Sequence, residues 1–245
     1  MVVVAKILDM LLPPRCFACG EDVQDHGGQC VACWSKIDFI SHPLCTCCGV
    51  PFDYVSNQEE GAAGLICGDC ALTKNAFDQA RAVFLYDDHS KKMILSFKHG
   101  DRHEGVPAFA NWLWGAAKIW QDEIDIIMPV PLHWRRLFKR RFNQAAEMAH
   151  AVGKVTGLEV DATSLKRHKP TRSQFGLGAR QRQKNVKSAF SINEKGKVGV
   201  KGKTILLVDD VMTTGATLNA CAKALKKAGV VKVYAVSLAR VVNSS

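Results

Sequence analysis

The chain has 245 residues, of which 47% are hydrophobic and 23% charged, with a formal net charge of +10. At about 100–200 residues per domain, this length allows one large domain or one ordinary domain with a small appendage. Residues 1–75 hold 4 Lys/Arg against 9 Asp/Glu and residues 76–245 hold 29 against 14, which excludes the first part as the main contact for a polyanion.

In chain order, the first element is the apolar stretch MVVVAKILDMLLPPRC. Lys6 and Asp9 interrupt it and no small-residue cleavage site follows, so it does not read as a signal peptide. It is also too short to cross a bilayer as a helix. Val4, Ile7, Leu8, Leu11 and Leu12 recur at helical spacing, which predicts a short amphipathic helix ending near Pro13. The expected compartment is cytoplasmic and reducing, where clustered cysteines bind metal more often than they form disulfides.

Nine of the ten cysteines lie between Cys16 and Cys70. A segment of that size has little core of its own and commonly recruits metal. The cysteines form four Cys-x-x-Cys pairs: Cys16/Cys19, Cys30/Cys33, Cys45/Cys48 and Cys67/Cys70. Two intervening residues let both sulfurs of a pair reach one tetrahedral ion, and two pairs close a structural zinc site. Gly20 and Gly49 follow the first and third pairs and free the backbone for a tight turn. Their alternation favours consecutive ribbons, pairs one with two and three with four, over an interleaved arrangement. Cys47 is then a spare thiol. Residues 1–75 are thus expected to form an amphipathic helix plus a double zinc ribbon holding one or two Zn²⁺, with the metal replacing a core.

Residues 76–245 alternate strand-like and helix-like runs. Strands are expected over 80–86, 124–130, 204–208 and 231–238, and helices over 103–120, 143–156 and 217–228. This alternation predicts an α/β domain with a parallel sheet flanked by helices, whose ligands bind beyond the carboxyl ends of the strands.

The most informative stretch is TILLVDDVMTTGATL. An apolar strand ends in Asp209 and Asp210, and the chain passes through Thr213, Thr214, Gly215, Ala216 and Thr217 into a helix. Carboxylates suit vicinal sugar hydroxyls, and hydroxyl and N–H groups at a helix start suit a phosphate. A P-loop ATPase reading fails on spacing, because five residues separate Gly196 from Gly202 where four are required, and Gly202-Lys203-Thr204 enters a strand instead of following one. A plain N-cap would not need the acidic pair.

VDDVMTTGAT resembles the phosphoribosyl pyrophosphate motif of type I phosphoribosyltransferases. The whole chain is similar to the ComF family, also named GntX-like: amidophosphoribosyltransferase-like proteins linked with natural competence and DNA utilisation. The resemblance rests on the four cysteine pairs, Phe97-Lys98-His99-Gly100, Pro129-Val130-Pro131-Leu132, Arg141-Phe142-Asn143-Gln144, Gln174 and Leu177 before Arg182, Asn185-Val186, Phe190 and the phosphate turn.

What the resemblance implies is displacement of magnesium-bound pyrophosphate from the anomeric carbon of phosphoribosyl pyrophosphate. Asp209 and Asp210 would contact the ribose hydroxyls, and Thr213 to Thr217 would hold the 5-phosphate. Pyrophosphate would lie around Pro131, Leu132 and His133, with Mg²⁺ taking few protein ligands. Lys98 is a further ligand candidate from the family motif. Residues 174–184 read as a flexible flap that brings Arg180, Arg182 and Lys184 over the pyrophosphate, although a charge run is also how a solvated loop looks.

Trp134 to Phe142 holds Arg135, Arg136, Lys139, Arg140 and Arg141 with no acid, interleaved with aromatic residues. That composition suits phosphate contacts plus base stacking. Three functions stay open on this reading. One is a phosphoribosyltransferase with an unknown nitrogenous acceptor, another a single-stranded DNA-binding competence factor that keeps the fold, and the third a sensor that binds phosphoribosyl pyrophosphate without turnover.

Overall fold

The computed structural model describes residues 13–52, 64–99, 103–133, 137, 142–168 and 188–242, except for the side chains of Lys98 and His99. The expected N-terminal amphipathic helix lies outside the described residues.

Two short helices stand in the cysteine-rich region, α1 (Val31–Trp34) and α2 (Gly68–Leu72), and Cys30 and Cys67 occupy their N-cap positions. The other two pairs sit in turns that Gly20 and Gly49 close. Each glycine N–H returns to the carbonyl of Cys16 or Cys45 at 2.8 Å, with φ of 88° and 68°. This accounts for the glycine after alternate pairs: a turn needs the left-handed residue, whereas a helix start does not.

The chain then runs through β1 (Gln79–Leu85), α3 (Asp88–His99), α4 (Val106–Ala117), β2 (Ile126–Pro129), α5 (Gln144–Thr156) and β3 (Glu159–Val160). It continues through β4 (Leu165–Arg167), β5 (Phe190–Ile192), α6 (Glu194–Val200), β6 (Thr204–Met212), α7 (Ala216–Lys227) and β7 (Lys232–Arg240). Helix starts are set locally. Asp87 and Ser90 cap α3 reciprocally, at 2.7 and 2.8 Å, and the Asn143 side chain accepts the Ala145 N–H at the head of α5.

The main sheet has the order β1-β7-β6-β2-β3, and every pairing in it is parallel. Its strands therefore end on a common edge. Ile205 and Leu207 of β6 face one core and Leu206 and Val208 the other, so both faces are covered and residues 205–208 are apolar without a break. The first core takes Phe97 of α3, Phe109 and Leu113 of α4, and Met148 and Val152 of α5. The second takes Leu218, Cys221 and Leu225 of α7 together with Leu165 and Phe190 from the antiparallel pair β4–β5.

Two elements differ from expectation. The 103–120 helix is divided, with one 3₁₀ turn at each end of α4. More consequentially, β6 does not stop at Val208. It continues to Met212, because β7 runs beside it and pairs Asp209 with Ser237, Val211 with Ala239 and Met212 with Arg240. Ladder bonds are made by the main chain, so the acidic side chains do not end the strand.

Candidate functional site

Strands β2 and β6 are neighbours, and the Val130 N–H donates to the carbonyl of Val208 at 2.8 Å. Pro131, Leu132 and His133 thus leave the sheet beside Asp209 and Asp210. His133 is 3% exposed, whereas Pro131 and Leu132 are half-buried. Asn143 donates from Nδ2 to the carbonyl of Val130 at 3.2 Å, which ties the head of α5 to the same corner. The next residue, Gln144, is buried, and its Nε2 has no hydrogen-bond partner among the described residues. A buried amide donor of that kind calls for an acceptor.

Asp209 and Asp210 are half-buried. The Asp210 N–H donates to Oδ1 of Asp209 at 2.9 Å. Thr213 is half-buried, Thr214 exposed and Thr217 half-buried, around the turn that leads into α7 at Ala216. Gly215 is the N-cap, with φ of 71°, and no side chain caps the helix. A Cβ on Gly215 would meet Met212 Cε at 3.0 Å and Phe77 Cε1 at 3.5 Å. The first N–H groups of α7 have no acceptor within the helix and stand at its positive dipole end, a setting that favours an anion.

One buried charged residue of β4 was missed in the sequence. Arg167 falls in a basic stretch that reads as solvated, yet it is 9% exposed, with its guanidinium over the ring of Phe190 at 5.3 Å. Burial pushes the thiol of Cys221 well above its ordinary value. The charge of Asp209 raises it further and that of Arg167 opposes it, so both charges act on the first turns of α7. Nothing in the sequence marks it, because Leu165-Lys166-Arg167 shows no apolar alternation and the buried-exposed-buried pattern belongs to the folded strand.

The remaining sequence-selected groups are not brought to the site by described atoms. The side chain of Lys98 lies outside the described residues, although its backbone ends α3. Arg135, Arg136, Lys139, Arg140, Arg141, Arg180, Arg182 and Lys184 also lie outside them. The 174–184 stretch falls in the connection between β4 and β5.

The cysteines gather in two groups, Cys16/Cys19/Cys30/Cys33 and Cys45/Cys48/Cys67/Cys70, with the ligand atoms of each within 4.8 Å of one another. Cys19 and Cys30 place their sulfurs 3.6 Å apart, as do Cys48 and Cys67. Four sulfurs at about 2.3 Å from a tetrahedral zinc stand about 3.8 Å apart, so both sites fit Zn²⁺ with no open position. Burial raises the Cys45 thiol, but the backbone N–H groups of Cys48, Cys67 and Cys47 outweigh it and bring the thiol down to about 7. Burial carries Cys48 the other way, up to about 11, against the charge of Arg240.

The Double zinc ribbon domain family matches residues 7–71 and the Phosphoribosyl transferase domain family matches residues 161–243. Competence protein F of Haemophilus influenzae is 30% identical over 232 residues, covering 92% of this chain and 96% of its own. The DNA utilization protein YhgH of Escherichia coli is 27% identical over 237 residues, covering 94% and 99%. Competence protein ComFC of Bacillus subtilis is 26% identical over 211 residues, covering 82% and 78%. The architecture is a phosphoribosyltransferase-type parallel α/β sheet behind a cysteine-rich zinc-ribbon region. Among the described residues no helix is long and apolar enough to cross a membrane.

Proposed function

The chain belongs to the competence protein F family, and on that premise we propose that it binds phosphoribosyl pyrophosphate with Mg²⁺ at the carboxyl edge of its sheet and transfers the phosphoribosyl group to a nitrogenous acceptor. The observation that carries this reading is the hydrogen bond from Val130 to Val208. It sets the turn at Pro131, Leu132 and His133 against the acidic pair that precedes the Gly215 turn. Asp209 and Asp210 hold the ribose hydroxyls, residues 213–217 hold the 5-phosphate, and the 131–133 turn takes the pyrophosphate. The buried donor on Gln144 supports an acceptor-rich ligand at this corner. Residues 1–75 serve as the ribbon unit and residues 76–245 as the transferase unit, in a cytoplasmic protein.

With pyrophosphate at Pro131, Leu132 and His133, Mg²⁺ would supply countercharge for the leaving group while keeping most of its waters. The protein's own residues orient the sugar and exclude water from the anomeric carbon. Titration calorimetry with phosphoribosyl pyrophosphate and Mg²⁺ tests the binding, and release of pyrophosphate across a panel of bases tests the transfer. The double variant Asp209→Asn/Asp210→Asn is expected to lose binding while keeping its circular dichroism; retained affinity would overturn the site.

The names of the relatives, a competence protein and a DNA utilization protein, favour one second reading, that the basic segment from Trp134 to Phe142 binds single-stranded DNA. Replacing Arg135, Arg136, Arg140 and Arg141 is then expected to weaken DNA binding and flatten its salt dependence. An unchanged slope puts the contact elsewhere.

A further inference from the structure

Two chains of contacts lead from the second cysteine cluster toward Gly215, the second ending in a main-chain bond. The first passes through Arg240, the last residue of β7 and 8% exposed. Its Nη1 donates to the carbonyl of Cys48 at 2.8 Å and to Sδ of Met212 at 3.0 Å, and its Nη2 donates to Sγ of Cys48 at 3.3 Å. Met212, at the end of β6, is the side chain that closes on Gly215. The second chain passes through two asparagines. Asn75 donates from Nδ2 to Sγ of Cys70 at 3.4 Å, and its Oδ1 accepts from Nδ2 of Asn219 at 2.6 Å. Asn219 accepts the Ala76 N–H at 2.5 Å through its side chain, and its own N–H donates to the carbonyl of Gly215 at 2.8 Å.

Among the described residues, no such route leads from the first cluster. Its neighbour Phe17 stacks edge-on against Phe109 at 5.2 Å, in the other core of the sheet. The second cluster is instead seated on the strands: Ala80 N–H donates to the carbonyl of Cys47 at 2.7 Å, and a Cβ on Gly49 would stand 2.6 Å from the carbonyl oxygen of Ala80.

A zinc-bound cysteine is a thiolate, and thiolates are acceptors that N–H donors around a metal site hold in place. Arg240 and Asn75 are such donors, and their other contacts are to Met212, just before the 213–217 turn, and to the Asn219 side chain, just after it. We propose that Arg240, Asn75 and Asn219 are positioning residues that couple metal occupancy at Cys45/Cys48/Cys67/Cys70 to the shape of the 213–217 turn. The second ribbon is then part of the anion site, and the first stabilises the fold only. This rests on the reading of that turn as the 5-phosphate site.

Coupling between two ligands is reciprocal. With both zinc sites loaded, Asn219→Ala is expected to weaken phosphoribosyl pyrophosphate binding by about tenfold or more without losing zinc. In the parent, the ligand shifts the equilibrium distribution of zinc between the second cluster and a chromogenic chelator toward the protein, and Asn219→Ala abolishes that shift. Cys19→Ser, which opens the first cluster, leaves the affinity within about twofold of the parent, inside the spread expected of an uncoupled site. Hydrogen exchange supplies a readout without ligand: the amides of residues 213–217 exchange about tenfold faster in Cys70→Ser and in Asn219→Ala, and not in Cys19→Ser. Unchanged exchange in Asn219→Ala together with unchanged affinity overturns the coupling. If the zinc-loaded parent fails to bind phosphoribosyl pyrophosphate, the ligand assignment falls, and the exchange rates alone decide whether the ribbon holds the turn.

Discussion

Arg240 reaches back from the last strand to Cys48, with Nη2 3.3 Å from the sulfur and Nη1 2.8 Å from the carbonyl. The guanidinium also touches Met212, so one buried cation joins the second cysteine group, the end of β6 and the last residue of β7. The ribbon region and the sheet are thereby one packed body at this point, and the chemistry of the sheet edge is examined best with both metal sites loaded.

The metal count is the most direct check on the two cysteine groups. Atomic absorption on the purified chain is expected to find two zinc ions, one for each group of four sulfurs. Cys33→Ser and Cys48→Ser should each lower the count to one, and a strong chelator should depress the melting temperature. A parent with a single ion would mean that one group is not a zinc site, despite sulfurs that fit one.

Gly215 adopts φ of 71°, and a methyl there would meet Met212. Gly215→Ala is expected to cost about 1–3 kcal/mol of stability in urea unfolding. Phosphoribosyl pyrophosphate binding should weaken with it, because the turn shifts away from the anion. A variant as stable and as tightly binding as the parent removes the turn from the site.

Arg167 carries a buried charge whose influence, with that of Asp209, is felt at Cys221. Removing one member of a buried charged arrangement leaves its surroundings uncompensated, so Arg167→Met is expected to lose about 2–4 kcal/mol. Arg167→Lys keeps the charge but not the planar contact with Phe190, and should fall between the two. Chemical denaturation of the three proteins measures the series, and an Arg167→Met midpoint equal to the parent's contradicts the assignment.

Asp161 follows β3 and organises the turn toward β4. Burial pushes its carboxyl up, but the Ser164 and Thr163 donors, at 2.9 to 3.3 Å, outweigh it and hold it below the usual carboxylate range. A carboxyl with a lowered folded value contributes stability that is complete above the unfolded value of about 3.9 and is lost as pH falls through the folded one. Asp161→Asn should therefore cost about 1 kcal/mol at neutral pH, a figure kept low for its partial exposure to solvent. That difference should close in strong acid. A gap between the two proteins that persists at low pH means the carboxylate is not its source.

Much of this molecule was legible in one dimension. Tetrahedral metal binding needs cysteines three positions apart and pairs of such pairs, and the acids, hydroxyls and glycine of the proposed phosphate turn lie within a few positions, so both patterns survive in the linear order. The helices and strands of the sheet follow from apolar periodicity for the same reason. What the order of residues could not reveal was which distant groups meet. Asp209 and Asp210 read as the end of a strand, and only the presence of β7 alongside carries β6 on to Met212. Arg167 looks like its neighbours Lys166 and Lys169, and its burial arises from one alternation in a strand too short to show a period. The contacts of Arg240 with Cys48 and of Asn219 with Asn75 join residues far apart in the chain, and they exist only because the strand order sets the last strand and the head of α7 against the second ribbon.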